Sequence, residues 1–110
     1  MILSNPAFGA NIQEIFNRIG CSDSTCHGAA LSANMDLRSG AAYENLVNVV
    51  SFSDAAFMRV SPNDAQNSYI VMKLEGRQTV GDRMPLNRAI LDAIDLTNIR
   101  NWINTGAPNN

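Results

Sequence analysis

The chain has 110 residues, of which 45% are hydrophobic, 16% charged and 6% aromatic, and its formal net charge at pH 7 is -2. This length fits a single domain over residues 1–110, and the weak negative charge argues against a general nucleic-acid binder and a polybasic membrane anchor. No run of about 18 apolar residues occurs, so the sequence predicts no membrane span.

Two helices are predicted in the first half of the chain. Apolar residues at helical spacing indicate a first helix over residues 11–20. Its apolar face comprises Ile12, Ile15, Phe16 and Ile19. Asn11 followed by Glu14 resembles a capping box. Ser39 is expected to cap a second helix that runs from Gly40 to about Val50.

Two further helices are predicted in the second half. The third begins at Asn67 or Ser68 and ends at Gly76, whereas the fourth is capped by Asp92 and ends before Gly106. The buried face of the fourth helix comprises Leu96, Ile99, Trp102 and Ile103. Since no alternating strand pattern occurs, we expect an all-α fold with about four short helices and long loops. Short helices are marginal alone and such loops are unusual, so a large apolar cofactor is expected to supply much of the core.

Both cysteines and the single histidine lie in one short stretch, at Cys21, Cys26 and His27. This arrangement is typical of covalent haem attachment, in which two thiols form thioethers with the haem vinyl groups and the adjacent histidine ligates the iron. The common motif has two residues between the cysteines, whereas this chain has four small polar ones that suit an outward bulge. The sequence therefore predicts one covalent haem c, held by Cys21 and Cys26, with His27 as an axial ligand.

Three other interpretations of the same cluster stay open. A disulfide between Cys21 and Cys26 would close a very short loop and restrict the unfolded chain little. A structural zinc site normally has four nitrogen or sulfur ligands, and the cluster offers three. A free redox dithiol more often has only two residues between its cysteines.

The second axial ligand expected for an electron-carrying haem is a methionine thioether. Met84 lies in a predicted loop far along the chain from His27, which allows it to approach the opposite side of the ring. Pro85 follows it and limits the backbone freedom of Met84. We therefore predict Met84 as the distal iron ligand.

The other methionines are weaker candidates for this role. Met1 is terminal, and Met35 follows His27 too closely to reach the far side of the ring. Met58 and Met72 are expected to fill gaps in the core, as methionine readily does.

Together these pieces resemble the class I c-type cytochrome domains, and most closely a bacterial monohaem subgroup. The resemblance rests on residues 12–19, the Cys/Cys-His-Gly motif at 21–28, Arg83-Met84-Pro85 and residues 96–103. Further matching positions are Leu37, Tyr43 to Val49, Ser68-Tyr69, Lys73-Leu74, Trp102-Ile103 and Gly106-Ala107. It implies a cytochrome c-like fold wrapped around one haem, in which the C-terminal helix crosses the N-terminal one.

Polar side chains near the predicted cofactor loops are candidates for pairing with the haem propionates. The basic ones are Arg59, Lys73, Arg77, Arg83 and Arg88. Guanidinium groups match carboxylate geometry, although a solvent-facing position is favoured for each of these residues singly. Tyr43 and Tyr69 are candidates for the same role or for filling the core, and Trp102 is expected to pack between the terminal helices.

The function expected from the motif and the resemblance is one-electron transfer with His27 and Met84 as the iron ligands, not enzymatic catalysis. The partners are expected to be redox proteins bound transiently, and the location a periplasm or another exported bacterial compartment. Residues 1–10 do not look like a signal peptide, so an export signal is expected to have been removed. One rival is a haem-based gas-binding, sensor or catalytic-subunit domain in which Met84 is labile. The other is a disulfide-stapled interaction domain without haem.

Overall fold

The computed structural model of the chain describes residues 1–19, 36–51, 54–78, 83–84 and 91–110. The regular secondary structure of these residues consists of helices. The α-helices there are α1 (Gln13–Ile19), α2 (Ala42–Leu46), α3 (Tyr69–Glu75) and α4 (Ala93–Asn104). A π-helical turn at Phe8–Ile12 leads into α1, and a 3-10 turn at Ala65–Asn67 precedes α3. The all-α prediction is confirmed for these residues. None of the described helices is long and apolar enough to cross a membrane.

The first helical segment begins earlier than predicted, at Phe8. Asn11 does not act as a capping residue, because its Oδ1 accepts the backbone N–H of Ala7 at 2.8 Å from within the helical turn. The Glu14 carboxylate instead pairs with Arg18 one turn later, at 2.8 Å. The predicted capping box is therefore wrong, and the helical backbone extends toward the N-terminus.

The second helix is much shorter than predicted and ends at Leu46. Val47 turns to extended backbone and forms an isolated parallel bridge with Val60. Asn48 then adopts a left-handed φ of 62°, which asparagine tolerates better than most residues. Ser39 does not cap this helix, since the observed capping position lies at Ala41 and has no side-chain cap hydrogen bond.

The third and fourth helices begin and end as predicted. Ser68 precedes α3, and Gly76 ends it with a φ of 77°, a left-handed conformation that glycine adopts without strain. Asp92 caps α4 by accepting the backbone N–H of Asp95 at 2.8 Å. Gly106 follows the end of α4 with a φ of 106°.

Four aromatic side chains form the centre of the described core, where the two ends of the chain meet. We call Phe8, Phe16, Tyr43 and Trp102 the terminal aromatic cluster. The ring centroid of Phe8 lies 5.1 Å from that of Trp102, 5.3 Å from Tyr43 and 6.4 Å from Phe16. Trp102 is fully buried, and its indole N–H donates to the carbonyl of Pro108 at 2.9 Å. Four of the chain's seven aromatic residues thus pack together in this cluster.

An ion pair links the N-terminal and C-terminal helices directly. The Arg18 guanidinium on α1 donates two hydrogen bonds to the Asp95 carboxylate on α4, at 2.8 and 3.1 Å. These bonds and the pairing with Glu14 raise the pKa of Arg18. Of the predicted buried face of α4, Trp102 and Ile99 are buried together with Ile103, and Leu96 is half-buried against the same core.

Candidate functional site

One of the four predicted haem residues lies within the described part of the chain. Met84 is described, whereas Cys21, Cys26 and His27 lie outside the described residues. Within the described ranges no group of three or more histidine, cysteine, aspartate or glutamate side chains comes together. The geometry of the candidate site is therefore built from Met84 and from the elements that hold it.

Met84 is half-buried and packs against the hydrophobic core. Its backbone N–H donates to the carbonyl of Lys73 at 3.0 Å. Lys73 belongs to the last turn of α3, where the carbonyls have no partner within the helix. The end of α3 thus fixes the backbone of the predicted ligand.

Arg83 adds a second bond to the same helix end. Its Nε–H donates to the carbonyl of Leu74 at 3.2 Å, although the residue as a whole is exposed. The Arg83 side chain also lies across Gly76, so a Cβ at that position would be 3.3 Å from Arg83 Cδ and 3.3 Å from Nη1. We call the pair of bonds from Met84 N–H and Arg83 Nε–H to the end of α3 the methionine anchor.

The other methionines occupy different environments. Met72 is 5% exposed and lies in α3, which confirms its predicted place in the core. Met58 is 39% exposed, so the expectation that it fills the core is wrong. It forms an isolated antiparallel bridge with Val50, whose side chain is also exposed, at the surface of the described structure. Met35 lies outside the described residues, and Met1 is exposed.

Arg59 is the polar residue whose position differs most from the expectation. The sequence favours a solvent-facing position, and this prediction is wrong: Arg59 is 8% exposed, and its Nη1 donates to the carbonyl of Asn45 at 2.8 Å. Burial lowers the pKa of Arg59, because the charged guanidinium loses solvation. Its bond to Asn45 therefore holds the Arg59 guanidinium inside the described structure.

The two tyrosines differ in what the structure shows of their role. The Tyr43 ring packs against Phe8 and Trp102 in the terminal aromatic cluster, and its hydroxyl donates to the carbonyl of Ala107 at 2.7 Å. Tyr69 is buried at the start of α3, with its ring centroid 6.2 Å from that of Phe57 in a stacked arrangement. Both rings thus pack in the described core, and a propionate partner among the two tyrosines stays a prediction.

An ion pair connects the helix that carries the methionine anchor to α4. Glu75 accepts from Arg100 Nε at 2.7 Å and from its Nη2 at 2.9 Å. Hydrogen bonding to Arg100, supplemented by Arg77, lowers the pKa of Glu75 below its ordinary value. The pair holds the end of α3 against the C-terminal helix.

The role of Arg83 at Gly76 and Leu74 was missed by the sequence analysis. The available signal was an arginine directly before the predicted ligand, downstream of a helix that ends in glycine. Residue order alone does not show that the arginine folds back onto that helix.

Comparisons of this chain with protein-family models, with curated proteins and with solved structures return no match.

Proposed function

We propose that this chain is a monohaem c-type cytochrome that transfers single electrons. The observation that carries the proposal is the clustering of the only two cysteines and the only histidine as Cys21, Cys26 and His27. A thiol placed directly before an imidazole lets the covalent bond and the iron ligand reach the same macrocycle.

The donor set of the chain fits a covalently attached haem. The thiols of Cys21 and Cys26 are suited to thioether bonds, and the imidazole of His27 and the thioether of Met84 are suited to the two axial positions. When bound, the haem supplies an iron that gains and loses one electron. Compared with a second imidazole, a methionine ligand favours the reduced state and raises the reduction potential.

The methionine anchor favours a carrier over a gas-binding or catalytic domain. In a gas-binding site the distal position must open, whereas an electron carrier retains both ligands in both oxidation states. The backbone of Met84 is held by Lys73, and the side chain of the preceding Arg83 is held by Leu74. This restraint supports a ligand that stays in place during electron transfer.

We further propose that the fold is cytochrome c-like and that the chain wraps around one haem. One support is the ion pair that Arg18 on α1 makes with Asp95 on α4. Another is the place of Met84 in the amino-acid sequence, after α3 and before α4. The buried guanidinium of Arg59 is a candidate partner for a propionate. Redox partners would bind through a small and transient contact, as is typical of electron-transfer complexes, in a periplasm or another exported bacterial compartment.

Intact mass spectrometry tests this proposal after expression in a host that attaches c-type haem. We expect the mass to exceed that of the polypeptide by one haem, and the colour to stay with the protein on extraction with acidified acetone. The Cys21→Ser/Cys26→Ser double variant is the control and should lose both properties. A chain mass lower by two hydrogens would indicate the disulfide, and two titratable thiols without added mass would indicate a metal site or a free dithiol. Either result would contradict the proposal.

A further inference from the structure

We infer that Arg83 is a positioning residue for the distal ligand: its side chain holds the Met84 segment on the C-terminal end of α3. The docking itself stands on the described contacts. Its consequence at the iron rests on the proposed function.

Donors of the Met84 segment pair with acceptors at the C-terminal end of α3. The carbonyls of Lys73 and Leu74 lie in the last turn of α3, where helical bonding leaves them without a partner. Lys73 accepts the Met84 N–H at 3.0 Å, and Leu74 accepts Arg83 Nε–H at 3.2 Å. Two consecutive residues of the chain therefore bind two consecutive carbonyls of the helix.

The electrostatics of the helix end favour a cation in this position. Carbonyls at a helix C-terminus have partial negative charge, so a guanidinium there makes a stronger hydrogen bond than a neutral donor. The neighbouring carbonyl of Met72 is already occupied, because it accepts the N–H groups of Gly76 and Arg77. Arg83 therefore binds a carbonyl of the last turn other than those of Met72 and Lys73, which have backbone donors.

Gly76 provides the surface on which the arginine side chain lies. Its left-handed φ of 77° turns the chain away from the helix, and its missing side chain leaves room for Arg83. A Cβ at this position would be 3.3 to 3.4 Å from three atoms of Arg83, which is closer than ordinary van der Waals contact. A Cβ there would require the Arg83 side chain to shift by a few tenths of an ångström, in addition to the strain of a left-handed φ.

Arg83→Ala tests the inference, and Arg77→Ala is the matched control. Arg77 is also a cation at the end of α3, and its Nη2 also donates to a backbone carbonyl, that of Gln66, at 3.2 Å. The measurement is hydrogen exchange of the Met84 amide in the reduced protein, together with the rate at which carbon monoxide binds. Carbon monoxide can bind only when Met84 leaves the iron, so its rate reports the opening of that bond.

We expect Arg83→Ala to raise both rates about five- to tenfold, since it removes one charge-assisted hydrogen bond of a partly exposed group. Arg83→Lys should restore part of the effect, because an ammonium can still donate to Leu74. Arg77→Ala should leave both rates within about twofold of the wild-type values. Equal rates in Arg83→Ala and wild type, or an equal rise in Arg77→Ala, would overturn the inference.

A double-mutant cycle with Gly76→Ala tests whether Gly76 acts through Arg83. If the added methyl group displaces the arginine, it should raise the Met84 exchange rate in the wild-type background but much less in the Arg83→Ala background. Equal rises in the two backgrounds would show that the substitution acts through backbone strain alone, against the proposed packing.

The same measurements separate this inference from the proposed function. If the chain gains no haem mass but Arg83→Ala still raises the exchange rate of the Met84 amide, Arg83 holds the Met84 segment on α3 and the proposed function is wrong. If the chain carries covalent haem but Arg83→Ala changes neither the Met84 exchange rate nor the rate of carbon monoxide binding, the proposed function stands and the inference about Arg83 is wrong.

Discussion

The junction of the chain ends and the methionine anchor are held in different ways. At the junction, rings pack together and several bonds connect residues far apart in sequence. These bonds join Leu3 N–H to Asn98 Oδ1 at 2.7 Å, Phe8 N–H to Asn110 Oδ1 at 3.0 Å, and Tyr43 hydroxyl to Ala107 carbonyl at 2.7 Å. The methionine anchor consists of two bonds to adjacent carbonyls of one helix.

Under the proposed function, this difference separates the global stability of the fold from the retention of Met84 at the iron. Loss of one bond at the junction leaves the other bonds and the terminal aromatic cluster in place, so the junction serves as the scaffold. The methionine anchor has only two hydrogen bonds, so loss of either one leaves Met84 and Arg83 joined to the end of α3 by a single bond. Substitutions at the junction should therefore change the free energy of unfolding, and substitutions at the anchor should change how firmly the proposed ligand Met84 is held.

Trp102→Ala should have the largest effect on stability, and it tests most directly whether the junction is the scaffold of the fold. Removing this fully buried side chain leaves a cavity in the terminal aromatic cluster and should lower the free energy of unfolding by about 4 kcal/mol. Urea denaturation measures this loss. Trp102→Phe keeps a ring but removes the N–H donor to Pro108, so it should cost less.

The folded fraction of Trp102→Ala should retain methionine ligation. A stability loss below about 1 kcal/mol would show that the cluster is not the scaffold, because core aromatic truncations ordinarily cost several times more. Loss of methionine ligation in protein that is still folded would show that the two regions are not separable.

Glu75→Gln tests the link between the two regions, since Glu75 joins α3 to α4 through Arg100. We expect a loss of about 1 kcal/mol at pH 7, at the upper end for ion pairs that are not fully buried. The pKa of Glu75 is lowered in the folded state from an ordinary value of 4.5. Its stabilisation is therefore complete above that value and is lost as pH falls through the lowered pKa.

The stability gap between Glu75→Gln and wild type should consequently close in acid. Denaturant unfolding at pH 7 and at about pH 3 measures it, the lower pH being below the ordinary range of a glutamate. Glu44→Gln, at an exposed glutamate of α2, serves as the control for charge removal. A gap that persists or widens in acid would contradict the assigned role of the ion pair.

Arg18→Gln should have the smallest effect. Arg18 makes a bidentate ion pair with Asp95, but 46% of the Arg18 side chain is exposed, so solvent and salt screen the interaction. We expect a loss of about 0.5 kcal/mol that shrinks further in high salt. Arg38→Gln, which removes a local pair with Asp36, is the control.

Thermal or urea unfolding at low and high salt measures the Arg18→Gln effect. A loss above about 2 kcal/mol would exceed what an exposed pair supplies and would make this bond central to the scaffold. A loss that does not respond to salt would likewise contradict an electrostatic origin.

The start of α4 and the end of α3 were predictable from the sequence, because the residues that set them lie next to the helix in the chain. Asp92 caps α4 and Gly76 ends α3 because each acts on backbone groups within a few residues. The end of α2 was not predictable in this way, because Val47 leaves the helix to pair with Val60, which is remote in sequence.

The candidate site shows the same limit. Residue types and their order name Met84 as a candidate ligand, which stays a prediction, and the structure adds that its backbone is bound to Lys73. The contact of Arg83 with Leu74 depends on how the chain returns to α3, and the burial of Arg59 depends on packing around Asn45. Neither is encoded in spacing, since both partners come together only in the folded chain. The prediction that haem supplies much of the core stays a prediction.

The measurement closest to the central proposal is the near-infrared absorption of the oxidised protein, where methionine sulfur bound to haem iron gives a weak charge-transfer band. We expect the band in wild type and its loss in Met84→Ala, together with rapid carbon monoxide binding and a lower reduction potential. Met58→Ala, at an exposed site, should keep the band, and Met72→Ala should keep it at a packing cost of about 2 kcal/mol or more. A band that survives Met84→Ala but disappears in one of the other two variants would contradict Met84 as the distal ligand. No band in the wild-type protein, with no response of the iron to any methionine substitution, would contradict the electron carrier itself.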